Sequence, residues 1–287
     1  MKLGVSSNSF SSYQRTTGCD YVALCKKAKE MGFDGIELVD LSTEIGQRDT
    51  VEDVAKDIRE ASERLSLPVL AYTIGASLLR PTPEENESEM ERLCGQIEIA
   101  KTLGAPVMRH DAALALRETP GYTWERGVEE MAPYIRTVTA YAETVGVRTC
   151  VENHGYIYQD PERVQALIRA VNHRNFGWLL DIGNFSVVDR TATEALAYTA
   201  HHVFHVHAKD MILKSGDVIA PSGFHRSRGG NFWRGTVLGH GDVPVAKTLL
   251  ALKAQGYTDG VSLEFGGPED CLSSLSAGLT YMHRVLD

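Results

Sequence analysis

Short apolar runs alternate with longer amphipathic segments along most of the chain. The runs are rich in Val, Ile and Leu, and the segments between them repeat apolar side chains every three or four positions, as one face of a helix does. Eight strand–helix units of about 36 residues each would account for the 287 residues. The predicted strands span residues 2–5, 35–39, 68–72, 106–109, 148–152, 176–181, 203–210 and 260–264.

Signals for helix boundaries support this division. Thr50 and Thr191 begin capping-box sequences, and Asp160-Pro161 puts a cap residue before proline at the first helical position. Glycine separates a helix from the next strand at Gly32, Gly104, Gly146 and Gly256. The regular alternation predicts an α/β protein with one domain over residues 1–287, a closed (β/α)₈ TIM barrel. A doubly wound α/β sheet is the alternative, weakened because no Gly-x-Gly-x-x-Gly follows the first strand.

Composition and charge exclude several classes of partner. The net charge is −9 and no basic block occurs, so we expect no nucleic-acid partner. The first residues lack a signal-peptide apolar core, and no run approaches the roughly 20 apolar residues of a membrane span. Five cysteines form no Cys-x-x-Cys pair, which is typical of reduced thiols. We therefore expect a cytoplasmic protein that does not contact a membrane.

Acidic residues end three of the apolar runs in the second half of the chain. Glu152, Asp181 and Glu264 are the acids, and the strand between the last two carries His205 and His207. A carboxylate at the end of a buried strand is costly unless it is paired or binds a metal ion. Because all strands of a parallel barrel end on the same face, these side chains should converge there. The sequence therefore predicts a metal site made of Glu152, Asp181, Glu264 and one histidine.

Less specific interpretations exist for each of these residues. A single acid at a strand end is often a helix cap or an ion-pair partner, and a histidine in an apolar strand is often a hydrogen-bonded core residue. His205 and His207 share one strand face, so alternation cannot choose between them, although position at the strand end favours His207. Three carboxylates and one imidazole favour one Mn²⁺ or Mg²⁺ ion, while Co²⁺, Fe²⁺ and Zn²⁺ are alternatives.

Several motifs in this half of the chain carry a resemblance to a known family. They are Val151-Glu-Asn-His-Gly, Leu180-Asp-Ile-Gly-Asn, His205-Val-His-Ala-Lys-Asp, Gly239-His-Gly-Asp-Val and Ser262-Leu-Glu-Phe. The chain resembles the sugar phosphate isomerase/epimerase group of xylose isomerase-like TIM barrels. The resemblance implies that Glu152, Asp181, His207 and Glu264 bind the metal ion, and that the two glutamates are also the catalytic acid–base pair. It further implies a homo-oligomer, although no apolar stripe identifies an interface.

Residues near the predicted metal site are candidates for binding the substrate. The candidates are His110, Asn184, Lys209, Arg234 and His240. Many relatives have histidine at the position of Asn184, and asparagine there can donate a hydrogen bond but cannot titrate. A long loop after strand seven, residues 211–242, is expected to cover part of the site, and Arg234 within it is the best candidate to clamp a carboxylate or phosphate.

The leading functional hypothesis is a divalent-metal-dependent isomerase or epimerase. It would act on a neutral or anionic keto-sugar, sugar phosphate or related polyol through a metal-bound enediolate. A lyase using the same site, such as a keto-polyol dehydratase or an oxo-sugar-acid decarboxylase, is the alternative. An apurinic-site endonuclease would need more His and Glu ligands and a basic DNA-binding face. A non-catalytic sugar-binding module is the remaining interpretation.

Overall fold

Eight parallel strands form a closed barrel in the computed structural model, which describes residues 1–199, 202–220 and 222–287. The barrel strands are β1 (Lys2–Ser6), β2 (Gly35–Val39), β3 (Val69–Ile74), β4 (Val107–His110), β5 (Arg148–Glu152), β6 (Phe176–Asp181), β7 (Val203–Ala208) and β11 (Gly260–Leu263). They pair in that order, and β11 closes the ring against β1. The predicted (β/α)₈ TIM barrel is confirmed, and the doubly wound alternative is wrong.

Helices follow the barrel strands and surround the barrel. They are α1 (Ser11–Thr17), α2 (Tyr21–Glu30), α3 (Thr43–Gly46), α4 (Val51–Leu65), α5 (Pro83–Leu103), α6 (Trp124–Thr144), α7 (Pro161–Val171), α8 (Ala192–Thr199), α9 (Val245–Ala254) and α10 (Cys271–Leu286). The predicted cap at Thr50 is present, because its side chain accepts a hydrogen bond from the amide of Asp53. Apolar faces of these helices pack against the outside of the barrel and form the main core.

Apolar side chains from four neighbouring strands fill part of the barrel interior. Ala71, Val107, Cys150 and Leu179 form a separate buried cluster, with one residue from each of the strands β3 to β6. Alternation along a strand puts the residue two positions further on the same inward face. Those residues are Thr73, Arg109, Glu152 and Asp181, and all of them are buried. These four polar side chains therefore lie next to the apolar cluster, at the carboxyl ends of the strands.

The segment after β7 is not an irregular loop. It contains β8 (Asp210–Lys214), β9 (His225–Arg226) and β10 (Phe232–Thr236), which form an antiparallel sheet in the order β8-β10-β9. The sequence did not predict these strands because they are short, partly exposed and interrupted by glycine and arginine. Pro221, which is part of the predicted loop, lies outside the described residues.

Two carboxylates near helix and strand ends bind elsewhere in the chain. Asp160 is the N-cap residue of α7 and Pro161 is its first residue, as predicted, but the Asp160 side chain makes no capping hydrogen bond and instead pairs with Arg228, which lies between β9 and β10. Strand β7 ends at Ala208 rather than at Asp210. The Asp210 carboxylate accepts hydrogen bonds from the amides of Gly239 and Gly241, which turns the chain away from the barrel.

Over the ranges that the structure describes, no helix has both the length and the apolar character that crossing a bilayer requires.

Gly35 provides a test of packing at the start of β2. A Cβ atom there would lie 2.6 Å from Cγ of Leu70 and 2.8 Å from the carbonyl oxygen of Pro68. We expect Gly35→Ala to lower the free energy of unfolding by about 1–3 kcal/mol, because the neighbouring strand must shift. Gly95→Ala in α5 is the control, since its Cβ would meet nothing within 4 Å. Urea denaturation that finds the two variants equally stable would contradict this account.

Candidate metal centre and active site

Four strand ends contribute one cluster of metal-ligand side chains. Glu152 ends β5, Asp181 ends β6, His207 lies near the end of β7, and Glu264 follows β11. These strands are consecutive around the barrel, so their ends are neighbours. One ligand-type atom from each side chain lies within 4.8 Å of the corresponding atom of every other. The four residues thus form a group that could hold a single ion.

The imidazole of His207 faces all three carboxylates. Its Nδ1 atom lies 3.4 Å from Oε2 of Glu264, 3.5 Å from Oε1 of Glu152 and 3.9 Å from Oδ2 of Asp181. Burial disfavours a charged imidazole, but nearby carboxylates, first Glu37 of β2 and then Glu264 and Glu152, raise the pKa of His207 well above its usual value. Protons and metal ions therefore compete for the same nitrogen.

Two buried polar atoms of the cluster lack a hydrogen-bond partner, and this suits a cation site. Among the described side chains, Oδ2 of Asp181 and Nδ1 of His207 are buried and have no hydrogen-bond partner. Buried polar atoms are normally satisfied, so two unsatisfied atoms facing one point require an explanation. A divalent ion at that point would accept a lone pair from each of them. The residues present therefore fit a metal ion, with three oxygen donors and one nitrogen donor.

Backbone amides hold the other oxygen of Asp181. Oδ1 accepts hydrogen bonds from the amides of Gly183 at 2.7 Å and Asn184 at 2.9 Å, which directs Oδ2 towards the cluster. Burial, together with the charges of Glu264 and Glu152, raises the pKa of Asp181 to about 8. The ammonium of Lys209, 3.7 Å from Oδ2, opposes this shift.

A buried arginine and an amide hold Glu152. Nη2 of Arg109 lies 2.6 Å from Oε2 of Glu152 and 2.6 Å from Oδ1 of Asp111, and the side-chain amide of Asn184 donates to Oε1 of Glu152 at 2.8 Å. Burial alone would raise the pKa of Glu152. The positive charges of Arg109 and His207 outweigh burial and lower that pKa to about 2. Glu152 is therefore a carboxylate with both oxygens engaged.

Lysine takes the equivalent place beside Glu264. Nζ of Lys209 lies 3.0 Å from Oε2 of Glu264, and the side chain of Glu264 is 15% exposed. Burial would raise the pKa of Glu264, but Lys209 and His207 hold it well below the usual range. The two glutamates of the cluster thus face different cations, a guanidinium and an ammonium.

Sequence comparison identifies the family to which this architecture belongs. The family model described as xylose isomerase-like TIM barrel matches residues 25–280. The chain belongs to this family. No functionally curated protein matches the sequence significantly.

Solved structures of the xylose isomerase-like TIM barrel type cover almost the whole chain. A structure of D-psicose 3-epimerase in the presence of D-fructose has 15% identity, covers 100% of this chain and 99% of its own, and gives a TM-score of 0.75. The IolI protein with a bound zinc atom has 19% identity, coverages of 100% and 98%, and a TM-score of 0.74. The probable 3-DHS dehydratase AsbF from Bacillus anthracis has 17% identity, coverages of 99% and 99%, and a TM-score of 0.74. At these identities the likeness establishes the shared fold.

The substrate-binding candidates occupy different parts of this xylose isomerase-like barrel. Asn184 and Lys209 contact cluster carboxylates, as described above. His110 is buried with its ring stacked near Phe176, and alternation puts it on the face of β4 opposite to Arg109. His240 is exposed in a groove lined by residues of α10, outside the barrel. The structure therefore brings Asn184 and Lys209 to the cluster and puts His110 and His240 elsewhere.

Arg234, the predicted anion clamp, already faces a carboxylate. Its Nη2 atom lies 3.9 Å from Oε1 of Glu269, and its guanidinium lies over the ring of Phe224. Another loop arginine, Arg228, is paired with Asp160. Both positive charges therefore have a partner within the chain, which weakens the case for either as a free anion site.

Sequence reasoning did not identify the partner of Glu37. This glutamate is 0% exposed in the middle of β2, and its oxygens lie 2.8 and 2.9 Å from Nε2 of His207. The signal available in the sequence was a lone acid inside the apolar run Gly35-Ile-Glu-Leu-Val, because a buried carboxylate needs a partner. The pairing depends on β2 and β7 facing each other across the barrel, which local sequence does not encode.

Metal binding should stabilise the protein and should strengthen with pH. At a concentration 100 times its dissociation constant, Mn²⁺ or Zn²⁺ should add about 2.7 kcal/mol to the free energy of unfolding. Because the raised pKa values leave Asp181 and His207 protonated at neutral pH, binding must release protons. The apparent affinity should therefore rise by up to about tenfold per pH unit for each proton released, and the contribution of Asp181 should level off above about pH 8.

Calorimetric titration from pH 6 to pH 9 measures this dependence. Asp181→Asn should remove most of the affinity for the metal ion. The control Glu89→Gln replaces a buried glutamate that pairs with Arg92 and is not part of the cluster, so it should keep that affinity. An affinity that is independent of pH would show that these two groups are not the ligands.

Proposed function

We propose that this protein is a divalent-metal-dependent isomerase or epimerase that acts on a keto-sugar, a sugar phosphate or a related polyol. The observation that carries the proposal is the arrangement of Glu152 and Glu264 on either side of the ligand cluster. Their strands, β5 and β11, are separated around the barrel by β6 and β7, which contribute Asp181 and His207. Two carboxylates that flank a bound substrate can exchange a proton with either of its faces.

The ligand cluster would hold one ion through Glu152, Asp181, His207 and Glu264. When bound, the ion would supply positive charge that stabilises the negative charge developing on a substrate carbonyl oxygen. The oxygen-rich donor set favours Mn²⁺ or Mg²⁺, although zinc is bound in the similar IolI structure.

The residues around the ion would handle the proton. Glu264 would accept a proton from the carbon next to the carbonyl, because its side chain is 15% exposed whereas that of Glu152 is 5% exposed. Lys209 at 3.0 Å would keep Glu264 ionised before the transfer and could donate a hydrogen bond to a substrate oxygen. Glu152, held by Arg109 and Asn184, would return a proton to the opposite face.

A lyase is the second candidate, and one specific observation favours it. Both oxygens of Glu152 are engaged, Oε2 with Arg109 and Oε1 with Asn184, and its pKa is lowered to about 2. A group with these contacts is a good metal ligand but a weak base. With Glu264 as the sole base, abstraction of one proton followed by loss of a leaving group is the simpler chemistry. The likeness to both D-psicose 3-epimerase and the probable dehydratase AsbF is compatible with either candidate.

Replacing the flanking glutamates should remove turnover. We expect Glu264→Gln and Glu152→Gln to lower kcat by about 10²–10⁴-fold, because an amide can neither take up the proton at Glu264 nor return one from Glu152. Metal content and the unfolding midpoint should be measured on the same samples, and activity should be assayed at saturating Mn²⁺ so that loss of the ion is not mistaken for loss of the base. Glu89→Gln is the control. If both cluster variants keep near-normal turnover, neither glutamate is part of the mechanism.

Isotope exchange separates the two candidate reactions. Keto-sugars, their phosphates and oxo-sugar acids should be incubated with the protein and Mn²⁺ in D₂O, and the products examined by mass spectrometry and NMR. An isomerase or epimerase that uses two carboxylates keeps every heavy atom of the substrate and introduces solvent deuterium at the reacting carbon. A dehydratase or decarboxylase releases water or carbon dioxide. A product that has neither gained deuterium nor lost water or carbon dioxide would contradict both candidates.

A further inference from the structure

A carboxylate lies directly behind the ligand cluster, inside the barrel. Glu37 is 0% exposed and contacts two histidines of β7: Nε2 of His207 at 2.8 and 2.9 Å, and Nε2 of His205 at 3.3 Å. The hydroxyl of Thr73 donates to its Oε1 at 2.6 Å, and His205 is in turn within 2.8 Å of Oγ of Ser262. Every neighbour of the Glu37 carboxylate described here is a group that can donate a hydrogen bond to it.

The two nitrogens of His207 therefore face different surroundings. Nε2 points into the barrel at Glu37, whereas Nδ1 points at Glu152, Asp181 and Glu264. An ionised carboxylate can only accept hydrogen bonds, so the proton of a neutral His207 must be on Nε2 for that contact to form. The lone pair of the neutral ring is then on Nδ1, the atom that faces the cluster and has no hydrogen-bond partner.

We propose that Glu37 is a positioning residue for the metal ion: it fixes the orientation and the tautomer of His207, so that Nδ1 is the ligand atom. This inference rests on the proposed function and deepens it. Carboxylates that accept a hydrogen bond from a ligand histidine orient the ring and increase the basicity of the ligating nitrogen. Thr73 and His205 hold the carboxylate itself in place, which explains why these polar groups are buried inside the barrel.

A purely structural role for Glu37 makes different predictions. As a buried ion pair of the barrel interior, it would affect stability but would not change how His207 binds a cation. Under our proposal, Glu37→Gln weakens metal binding, because an amide can present its N–H to Nε2 and so favour the tautomer with the proton on Nδ1. The expected loss of affinity for Zn²⁺ or Mn²⁺ is about 10–100-fold.

The experiment compares metal affinity in the full-length protein by chelator competition. The variants are Glu37→Gln and the matched control Glu89→Gln, which replaces a buried glutamate of α5 that faces Arg92 rather than a ligand histidine. The control should bind the ion within about twofold of the unchanged protein. The thermal midpoints of the metal-free proteins show whether each variant is folded.

A second measurement does not depend on the stability of the variant. Proton–nitrogen correlation spectra of ¹⁵N-histidine protein loaded with ¹¹³Cd²⁺ report which nitrogen of His207 is coupled to the metal and which carries the proton. We expect cadmium coupling to Nδ1 and a proton on Nε2, with the His207 signal assigned by its loss in His207→Asn.

The outcomes separate the inference from the proposed function. Tight binding through Nδ1 that weakens in Glu37→Gln supports both. Coordination through Nε2, or an affinity of Glu37→Gln equal to that of the control, overturns the role of Glu37 and leaves the proposed function standing. If the unchanged protein binds neither Zn²⁺ nor Mn²⁺, the proposed function fails, and the role of Glu37 fails with it.

Discussion

Mutual repulsion among buried carboxylates is the constraint that organises this molecule. Glu152, Asp181 and Glu264 form one cluster at the carboxyl end of the barrel, and Glu37 lies behind it; all but the 15%-exposed Glu264 are buried. Removing a carboxylate from water costs several kcal/mol, and close like charges add to that cost. The chain offsets it with a fixed set of cations, namely Arg109, His207 and Lys209. The raised pKa of Asp181 shows that this compensation is incomplete without a further positive charge.

Different cations give the two flanking glutamates different properties. Arg109 is a planar guanidinium that stays charged and bridges Glu152 to Asp111, so it fixes the position of Glu152 as well as its charge. Lys209 is a single ammonium on a flexible stem beside the more exposed Glu264. The geometry therefore combines a carboxylate held by a rigid guanidinium on one side of the cluster with a partly accessible carboxylate on the other.

Carboxylates also attach the inserted sheet to the barrel. Asp160, at the start of α7, binds Arg228, while Asp189 accepts hydrogen bonds at 2.7 Å from the side chains of Ser227 and Asn231. Asp210 accepts from the amides of the Gly239–Gly241 turn. The insert is thus held at several separate points around the carboxyl end of the barrel. Ser227, Arg228 and Asn231 thus anchor the segment to the barrel.

The sequence by itself determined the architecture and the three acids of the cluster. Periodicity of apolar positions is a local property, so the strands β2, β5 and β6 were predicted with the boundaries that the structure has. A parallel barrel brings all strand ends to one face, so the sequence alone predicts that the acids at the ends of β5, β6 and β11 meet.

Only the tertiary structure decided which atom faces which. The contact of Arg109 with Glu152, the separation of the roles of His205 and His207, and the pairing of Glu37 across the barrel depend on strand register and side-chain rotamers. So does the inserted sheet, whose strands form through long-range pairing between β8 and β10. These are contacts between residues that are distant along the chain, and neither spacing nor local preference specifies them. The physical reason is that the protonation state and hydrogen bonding of a buried histidine or acid depend on its partners, and those partners lie on other strands.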